Sequence, residues 1–279
     1  MRPLFTGPLT VEAFQIPIQD LPTRLEGKVI VQLSDFHYDG MRLSNRMLSH
    51  AIATISTLNP DLVVFTGDFV TTVPDPIYQL ATQLRPIAQT YPTLAILGNH
   101  DIWWPNATDI ITHTLTDIGI TVLWNQIAYP FGPGLPVVGL ADYHHADFSL
   151  DVLTQLPSEL PRIVLSHNPD TAEFMMPWRV DLQLSGHTHG GQIVIPGIGV
   201  LAERWFKFRS KLPRFIRKSK LPYLSDRCVN VLSHWEWAMG LHQVGKNTLY
   251  VNRGLGTYAP GRLFCNPELT AITLTSPQS

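Results

Sequence analysis

Five short apolar segments, each followed at once by polar side chains, constrain the fold of this 279-residue chain more than any other feature. They are KVIVQLSD at 28–35, DLVVFTGD at 61–68, TLAILGNH at 93–100, RIVLSHNP at 162–169 and DLQLSGHTH at 181–189. Runs of Val, Ile and Leu that are apolar on both faces are typical of strands buried in a sheet that other layers cover. The sequence therefore predicts five buried strands.

Segments with helical periodicity lie between these strands. In one of them Leu48, Ile52 and Ile55 recur at helical spacing, and another, residues 107–119, ends at Gly119 as the expected C-cap. Further strands are predicted at 136–142, 247–254 and 268–275, with residues 9–18 pairing at a sheet edge. Alternating strands and helices are typical of a layered α/β domain, and we expect one such domain over residues 1–279.

The composition is that of a globular protein, apart from one basic stretch. A hydrophobic content of 44% supports a sizeable core and argues against a disordered or fibrous chain. The formal net charge is only -2, yet eight of the twenty Lys and Arg lie within residues 204–220, where there is no acid. Pro213 and Pro222 break the strand and helix pattern there, so we interpret residues 201–230 as an insertion on the domain.

The two cysteines and the absence of long apolar runs bear on the cellular compartment. Cys228 and Cys265 are too few for a disulfide framework and are not in a zinc-ribbon spacing. The N-terminal residues lack the continuous apolar region of a signal peptide, and no eighteen-residue apolar run predicts a membrane-spanning helix. We expect a cytoplasmic protein with reduced thiols, although a chain from which a leader had been removed would look the same.

The side chains at the strand ends carry the chemistry. They are Asp35, His37, Asp68, Asn99, His100, His167, His187 and His189. The carboxyl ends of strands in an α/β sheet converge on a functional crevice. Carboxylate, amide and imidazole ligands without thiolate suit Mn, Fe or Zn and disfavour a closed structural zinc site. Without His100 the set still holds seven ligands, which is more than one ion needs. The sequence therefore predicts two divalent ions that share a carboxylate and that hold the attacking and leaving oxygens of a phosphoryl transfer.

Alternation along an extended backbone is the expected arrangement within two of these segments. Residues i and i+2 of an extended segment project to the same side, so Asp35 with His37, and His187 with His189, would each face the ions. Phe36, between the first pair, would point away. Glycines beside the second pair would let the backbone pass close to metal and phosphate.

The motifs resemble, in order and form, those of the calcineurin-like metallophosphoesterases. SDFHYD, TGDFV, LGNHD, LSHNP and SGHTHGGQ follow one another, and the tail YVNRGLGTYAPGRLFCNPELTAITL is similar to that of the YkuE/YaeI-type branch. The resemblance covers nearly the whole chain and implies a four-layer α/β/β/α sandwich. Protein phosphatases of the superfamily carry GDxxDRG, whereas this chain has GDFVTTV, which disfavours protein phosphatase activity.

The resemblance also implies a role for each motif residue. One ion would be held by Asp35, His37, Asp68 and His189, and the second by Asp68, Asn99, His167 and His187, with Asp68 as the bridge. His100 would lie near the leaving oxygen and stabilise or protonate it during in-line attack of water on phosphorus. Asp101 would orient His100.

Four further charged residues carry weaker signals. Arg253 and Arg262 could bind substrate phosphate through their planar guanidinium groups, but surface charge explains them equally well. For His144 and His145 we favour an exposed loop over a place in the substrate cleft.

The basic stretch at 204–224 interleaves its cations with aromatic and apolar side chains. These are Trp205, Phe206, Phe208, Phe215 and Ile216. Exposed aromatics beside Lys and Arg are typical of a segment that lies on an anionic membrane. We rank this interpretation above a solvated surface insert, and both above nucleic-acid binding, which we consider the weakest of the three.

Together these signals predict a binuclear metal-dependent phosphoesterase acting on a phosphodiester, pyrophosphate or phosphomonoester bond. Relatives in the resembling branch include enzymes that split UDP-2,3-diacylglucosamine in lipid A biosynthesis. A lipid-linked or nucleotide-linked substrate at a membrane surface is therefore the leading hypothesis, with peripheral association at the inner face of the membrane. The alternatives are a soluble nucleotide phosphodiesterase or nuclease, and a non-catalytic metal-binding scaffold, which the complete ligand set disfavours.

Overall fold

All five predicted strands form, and they are divided between two six-stranded sheets. The computed structural model describes residues 3–212 and 232–277. The strands are β1 (Thr10–Pro17), β2 (Val29–Leu33), β3 (Leu62–Thr66), β4 (Thr93–Ile96), β5 (Thr121–Val122), β6 (Gln126–Ala128), β7 (Val137–Gly139), β8 (Ile163–Leu165), β9 (Leu182–Ser185), β10 (Val194–Ile195), β11 (Gly199–Val200), β12 (Gly240–Val244), β13 (Asn247–Val251) and β14 (Glu268–Thr275). The α-helices are α1 (Asn45–Leu58), α2 (Pro76–Thr90), α3 (Ala107–Thr116), α4 (Thr171–Phe174) and α5 (Leu201–Ser210). Short 3-10 helices occur at Thr23–Leu25, Asn99–Asp101, Asp151–Gln155, His189–Gly191 and Trp235–Trp237.

The central strands of each sheet run parallel, so their carboxyl ends lie at one edge. The first sheet has the order β1-β14-β2-β3-β4-β5, and the second has the order β12-β13-β9-β8-β7-β6. Strands β2 to β5 are parallel to one another, as are β7, β8, β9 and β13. Strand β1 occupies the sheet edge that was predicted for residues 9–18, and it pairs in parallel with β14.

The two sheets pack face to face around a shared apolar core. Ile30 and Val64 of the first sheet pack in one buried cluster with Leu165 and Leu184 of the second. Helices α1 to α3 cover the outer face of the first sheet. The outer face of the second sheet is covered more thinly, by residues of the 3-10 helix at 151–155 and of the segment after α4. This confirms the predicted α/β/β/α layering.

Local signals mark both ends of helix α1 but misplace the end of helix α3. Helix α1 begins after Ser44, whose hydroxyl accepts a hydrogen bond from the Met47 N–H, and it ends at Asn59 in the left-handed conformation. Gly119 was predicted to be the C-cap of α3, but the helix ends at Thr116 with Asp117 as its C-cap. Gly119 instead has a φ of 99° in the turn that leads to β5.

Only the first part of the basic stretch lies within the described residues. Residues 201–210 form α5, whereas Phe215, Ile216 and the cations after Leu212 lie outside them. The expectation that all the aromatics are exposed is wrong for Phe206, whose ring stacks on Trp235 at 5.3 Å and 20°. In the part of the chain that the structure covers, no helix has the length and apolar character needed to cross a bilayer.

Candidate metal centre

The turns that follow β2, β3, β4, β8 and β9 bring their polar side chains together at the carboxyl edge of the two sheets. Three groups of ligand atoms form there, and within each group the atoms lie within 4.8 Å of one another. Two of them combine residues from both sheets: Asp35, His37 and His189 form the first group, and Asp68, His167 and His187 form the second. The third, His37, Asp68 and His100, lies on the first sheet and links the other two. The packing of the sheets therefore assembles the centre.

Asp68 lies between the two groups. Its Oδ2 is 3.4 Å from His37 Nε2 and 3.2 Å from His167 Nε2. Its Oδ1 accepts a hydrogen bond of 2.9 Å from the His100 backbone N–H. One oxygen of this buried carboxylate therefore faces an imidazole of each group, which is the position that a bridging ligand needs.

The ligand atoms of the first group, Asp35, His37 and His189, lie equally close to one another. His37 Nε2 is 3.0 Å from His189 Nε2, and the same His189 nitrogen is 3.4 Å from Asp35 Oδ1. Asp35 also accepts the backbone N–H of His187 on both oxygens, at 3.0 and 3.1 Å. The Asp35 carboxylate thus connects the turn after β2 to the turn after β9.

Hydrogen bonds to backbone carbonyls determine which ring nitrogen faces the centre. His167 Nδ1 is 2.6 Å from the Thr66 carbonyl oxygen, and His189 Nδ1 is 3.1 Å from that of Gly256. A carbonyl only accepts, so each Nδ1 carries the hydrogen and each neutral ring keeps its lone pair on Nε2. Metal-ligating histidines are oriented in this way.

An amide oxygen without a partner supports the fit of this centre to a cation. Asn99 is 7% exposed, and its Oδ1 has no hydrogen-bond partner among the described residues. A buried polar atom without a partner is unfavourable unless a cation or a donor satisfies it. With carboxylates and imidazoles around it, this oxygen completes a donor set that suits a divalent metal.

The ligand segments are tight turns, and not the extended segments that were predicted. Asp35, His37, Asp68, His187 and His189 all have positive φ, between 43° and 72°. This backbone conformation is uncommon for residues other than glycine and is typical of strained functional sites. Asp35 and His37 still face the same centre, but the turn after β2 directs them there, and strand alternation does not.

The carboxylate and imidazole groups of the centre shift one another's pKa values strongly. Burial alone raises the pKa of Asp68, but His167 and His37 hold that pKa well below its ordinary value. In return the Asp68 carboxylate, against the effect of burial, raises the pKa of His167 well above its usual range. Burial and the neighbouring His37 lower the pKa of His189. An anionic carboxylate is therefore held at the middle of the imidazole cluster.

Comparison with known proteins agrees with this arrangement. Residues 28–191 match the family model described as calcineurin-like phosphoesterase. The chain belongs to this family. It is 32% identical over 259 residues to phosphodiesterase YaeI of Escherichia coli (strain K12), which covers 88% of this chain and 81% of YaeI. It is 33% identical over 266 residues to the uncharacterized metallophosphoesterase YkuE of Bacillus subtilis (strain 168), covering 92% of this chain and 82% of YkuE.

A third relative is the UDP-2,3-diacylglucosamine pyrophosphatase LpxG of Chlamydia muridarum (strain MoPn / Nigg). The chain is 29% identical to it over 294 aligned residues, which span 88% of this chain and 83% of LpxG. The predicted resemblance is thus confirmed. The family uses divalent metals, and the clusters of His and Asp fit such a site. The phosphoesterase is therefore a metal-dependent hydrolase of phosphoric esters.

The Thr71 carbonyl orients His100 in this phosphoesterase, and the predicted Asp101 does not. His100 Nδ1 is 2.6 Å from the Thr71 oxygen, so Nε2 faces the cavity beside the centre. Asp101 instead accepts backbone N–H groups from Val70, at 3.1 Å, and from Gly98, at 3.0 Å. Burial and the nearby Asp68 charge raise the pKa of Asp101 to about 8. Its role is to hold the turn that carries Asn99 and His100.

The two arginines suggested as phosphate ligands have other partners. Arg262 is 4% exposed, and its guanidinium donates to the carbonyl oxygens of Arg253 and Gly256, each at 2.7 Å, and of His189 at 3.2 Å. Arg253 pairs with Glu12 at 2.6 Å and with Glu268 at 2.8 Å. Because these contacts occupy both guanidinium groups, we assign neither arginine to the substrate. The alternative of a surface charge does not hold for Arg262, which is buried.

A cavity of about 550 Å³ opens beside the candidate ligands of the phosphoesterase. His144 lines it, with its ring 6.2 Å from that of His187, whereas His145 points to Trp124 on another surface. A hydrogen bond to Asp142 raises the pKa of His144. His144 is thus an exposed loop residue, as expected, and it also lines the cavity, which we had ranked second.

Sequence reasoning missed the aromatic walls of this cavity. They are Trp103, Trp235 and Tyr258. Tyr258 lies in the tail that carried the family resemblance, so its position was a usable signal. Trp103 follows the LGNHD motif by two residues and was a usable signal as well, whereas Trp235 is far from the motif residues and only the folded chain brings it to the centre.

Proposed function

We propose that this phosphoesterase uses two divalent ions to hydrolyse a phosphodiester or pyrophosphate bond. The observation that carries the proposal is the position of the Asp68 carboxylate between two groups of ligand atoms. Asp35, His37, Asp68 and His189 would hold one ion, and Asp68, Asn99, His167 and His187 the other. When bound, such ions neutralise charge on the phosphoryl oxygens and lower the pKa of the attacking water. The donor set suits Mn, Fe or Zn.

His100 serves the leaving oxygen in this proposal. Its Nδ1 hydrogen is engaged by Thr71, so only Nε2 is available to exchange a proton with the substrate. Burial lowers the pKa of His100, which makes the neutral ring the main form of the free protein near pH 7. The negative charge of a bound phosphate favours the protonated ring, which can then donate to the leaving group.

The walls of the cavity support an amphiphilic substrate. Trp103, Trp235 and Tyr258 line it next to the charged centre, and Ala202 of α5 contributes to the same wall. A substrate with a phosphate linkage and an apolar or aromatic part would contact both. LpxG, a relative over most of the chain, is named for such a substrate. UDP-2,3-diacylglucosamine, or another lipid-linked or nucleotide-linked phosphate, is therefore our proposed substrate.

A membrane surface is the proposed location of the reaction. Phe208 is 53% exposed on α5, beside the exposed cations Arg204 and Lys207. Cations next to apolar side chains favour contact with anionic lipid headgroups. Since Ala202 of the same helix lines the cavity, α5 would hold the entrance close to a lipid-anchored substrate.

One observation favours a second candidate, a soluble nucleotide phosphodiesterase. Trp103 is 65% exposed, and its ring lies 4.5 Å from that of His100. An exposed indole can stack on a nucleobase and contribute about 1–3 kcal/mol per base. A nucleotide without a lipid would satisfy this contact. A non-catalytic scaffold is disfavoured because the whole set of ligand side chains is retained.

Activity screening of the metal-loaded protein tests the proposal. The panel contains UDP-2,3-diacylglucosamine in detergent, bis-p-nitrophenyl phosphate, soluble nucleotides and short oligonucleotides. We expect turnover that requires Mn or Zn and that Asp68→Asn lowers by more than about 100-fold, since loss of the shared carboxylate exceeds the effect of losing an outer partner. Asp117→Asn, at the exposed carboxylate that caps the C-terminus of α3, is the matched control and should retain activity. Substantial metal-dependent turnover by Asp68→Asn would refute the mechanism.

Membrane contact needs a separate measurement. Charge reversal at Lys207, Arg209, Lys211 and Arg214 should weaken binding to vesicles that contain anionic phosphatidylglycerol, by about 1 kcal/mol per cation at the surface. Arg214 lies outside the described residues. Reversal of the exposed Arg46 and Arg85 on α1 and α2 is the control. Unchanged vesicle binding after the first set of reversals shows that the segment does not contact lipid.

A further inference from the structure

Tyr258 lies against the proposed metal centre although no motif assigns it a role there. Its hydroxyl oxygen is 3.2 Å from His37 Nδ1 and 3.5 Å from His100 Nε2. Its ring packs edge-on against His37, with 5.0 Å between centroids, and against His189, with 5.3 Å. One phenol therefore touches two predicted ligands and the predicted leaving-group residue.

The contacts of this hydroxyl define one hydrogen-bond pattern if His37 binds a metal ion through Nε2, as proposed above. His100 Nδ1 must donate to the Thr71 carbonyl, so the neutral ring can only accept at Nε2. The Tyr258 hydroxyl then donates to His100, and its oxygen accepts from His37 Nδ1–H. In this pattern His37 keeps its lone pair on Nε2, the nitrogen that faces His189 and Asp68.

The surrounding residues hold the phenol in this place. The guanidinium of Arg42 lies 4.4 Å above the ring, within the range of a cation–π contact. The Tyr258 backbone N–H donates to Gln192 Oε1 at 2.6 Å, and the preceding Thr257 N–H donates to the Arg42 carbonyl at 3.0 Å. Ring and backbone are both fixed, so the hydroxyl has little freedom to leave its two histidines.

We infer that Tyr258 is a positioning residue that sets the ring orientation and tautomer of His37 and aims His100 at the leaving oxygen. This inference rests on the proposed function, because it takes His37 as a metal ligand. Outer partners of metal-ligating histidines typically contribute 10–100-fold to metal affinity or activity. Tyr258 would affect both metal affinity and activity, since the same hydroxyl contacts the proposed ligand His37 and His100.

Tyr258→Phe tests the inference, because it keeps the ring packing and removes only the hydroxyl. We expect Mn or Zn affinity at one of two sites to fall by about 10–100-fold, measured by chelator competition. At saturating metal, kcat on bis-p-nitrophenyl phosphate should fall by about 10-fold or more, with KM changed by less than about 3-fold. Thermal unfolding of the metal-free variant should be close to that of the parent.

Tyr250→Phe is the matched control. Tyr250 is buried and donates a 2.6 Å hydrogen bond to Glu268, away from the cavity, so its variant loses a hydroxyl without touching the centre. Metal affinity and kcat of this control should remain within about 2-fold of the parent, whatever its stability. If Tyr258→Phe also keeps both quantities within 2-fold, the inference is wrong. If the parent protein binds two metals but hydrolyses nothing in the panel, the proposed function fails, while the metal affinity still decides the role of Tyr258.

Discussion

Gly67 shows, at the scale of single residues, how closely the ligand turns approach one another. It has a φ of 96°, and a Cβ added there would lie 2.6 Å from the Gly98 nitrogen and 2.8 Å from His167 Nδ1. These contacts join the turns after β3, β4 and β8. A side chain of any size would push the turns apart, so this position requires glycine.

Gly67→Ala is expected to lower the free energy of unfolding by about 2–5 kcal/mol, from backbone strain together with the steric clash. Metal stoichiometry should fall as His167 is displaced. Gly40→Ala is the control, because Gly40 has a φ of 75° but nothing within 4 Å of an added Cβ. That variant should lose only about 1–2 kcal/mol. Urea denaturation measures the free energy of unfolding of each variant. An equal decrease in Gly67→Ala and Gly40→Ala would contradict the steric argument.

Arg262 is the second residue whose contacts suggest an experiment. Its planar group donates to several carbonyl oxygens of the loop at 253–257 and to that of His189. A lysine has three donors on one flexible nitrogen and cannot satisfy this set. Arg262→Lys should therefore lower the free energy of unfolding by roughly 3 kcal/mol, since buried carbonyls are left unpaired.

The same arginine variant should also weaken metal binding, because the Gly256 carbonyl orients His189. Arg46→Lys, at an exposed position of α1, provides the comparison and should change neither quantity. Chemical denaturation and chelator competition give the two values. A stable Arg262→Lys variant with full metal affinity would show that the loop holds its shape without the guanidinium.

At the scale of elements, the strands set positions and the turns after them present the chemistry. Strands β2, β3 and β4 are paired in parallel register, which places the turns carrying Asp35, Asp68 and Asn99 side by side. The turn after β4 continues into the 3-10 helix at Asn99–Asp101, and then into two consecutive tryptophans before α3. Only the first of these tryptophans lines the cavity.

This pair of tryptophans allows a matched test of substrate contact. Trp103 lies beside His100 and lines the cavity, whereas Trp104, which is 48% exposed, does not. Trp103→Ala should lower kcat/KM for nucleotide-linked substrates by about 5- to 150-fold, the equivalent of about 1–3 kcal/mol of stacking. Trp104→Ala should have little effect. Equal values for both variants would remove Trp103 from the substrate site.

At the scale of the whole molecule, the two sheets meet at the metal centre. Asp35, His37, Asp68 and Asn99 follow strands of the first sheet, and His167, His187 and His189 follow strands of the second. A cation held by both sets would tie the sheets together. Such a ligand binds the native state in preference to the unfolded chain, so it adds to the stability.

Metal removal should therefore lower the midpoint of thermal unfolding. At a free metal concentration about 100 times Kd, one site contributes about 2.7 kcal/mol, which a chelator would remove. Differential scanning calorimetry with and without Mn or Zn measures the shift. Asp68→Asn should show a much smaller shift, because it lacks the shared carboxylate. An equal shift in parent and variant would mean that the metal binds elsewhere.

Much of the fold and of the ligand set could be predicted because both are local patterns. Buried strands can be recognised as apolar runs, and the candidate ligands Asp35, Asp68 and His167 follow such runs directly in sequence. Helix α2 was not predicted, since Pro86 within it interrupts the helical pattern and only packing against the first sheet compensates. The C-cap of α3 was misplaced because Gly119 belongs to the following turn.

The sequence alone determined the kinds of candidate ligand, their order and the strands that precede them, because each of these depends on neighbouring residues. The tertiary structure alone decided that the strands divide between two sheets, that Thr71 orients His100, and that Arg262 is buried under the loop at 253–257. It also brought Tyr258 to His37, although 221 positions separate them. Contacts between residues so far apart in the chain leave no local pattern, since they arise only when the two sheets pack together.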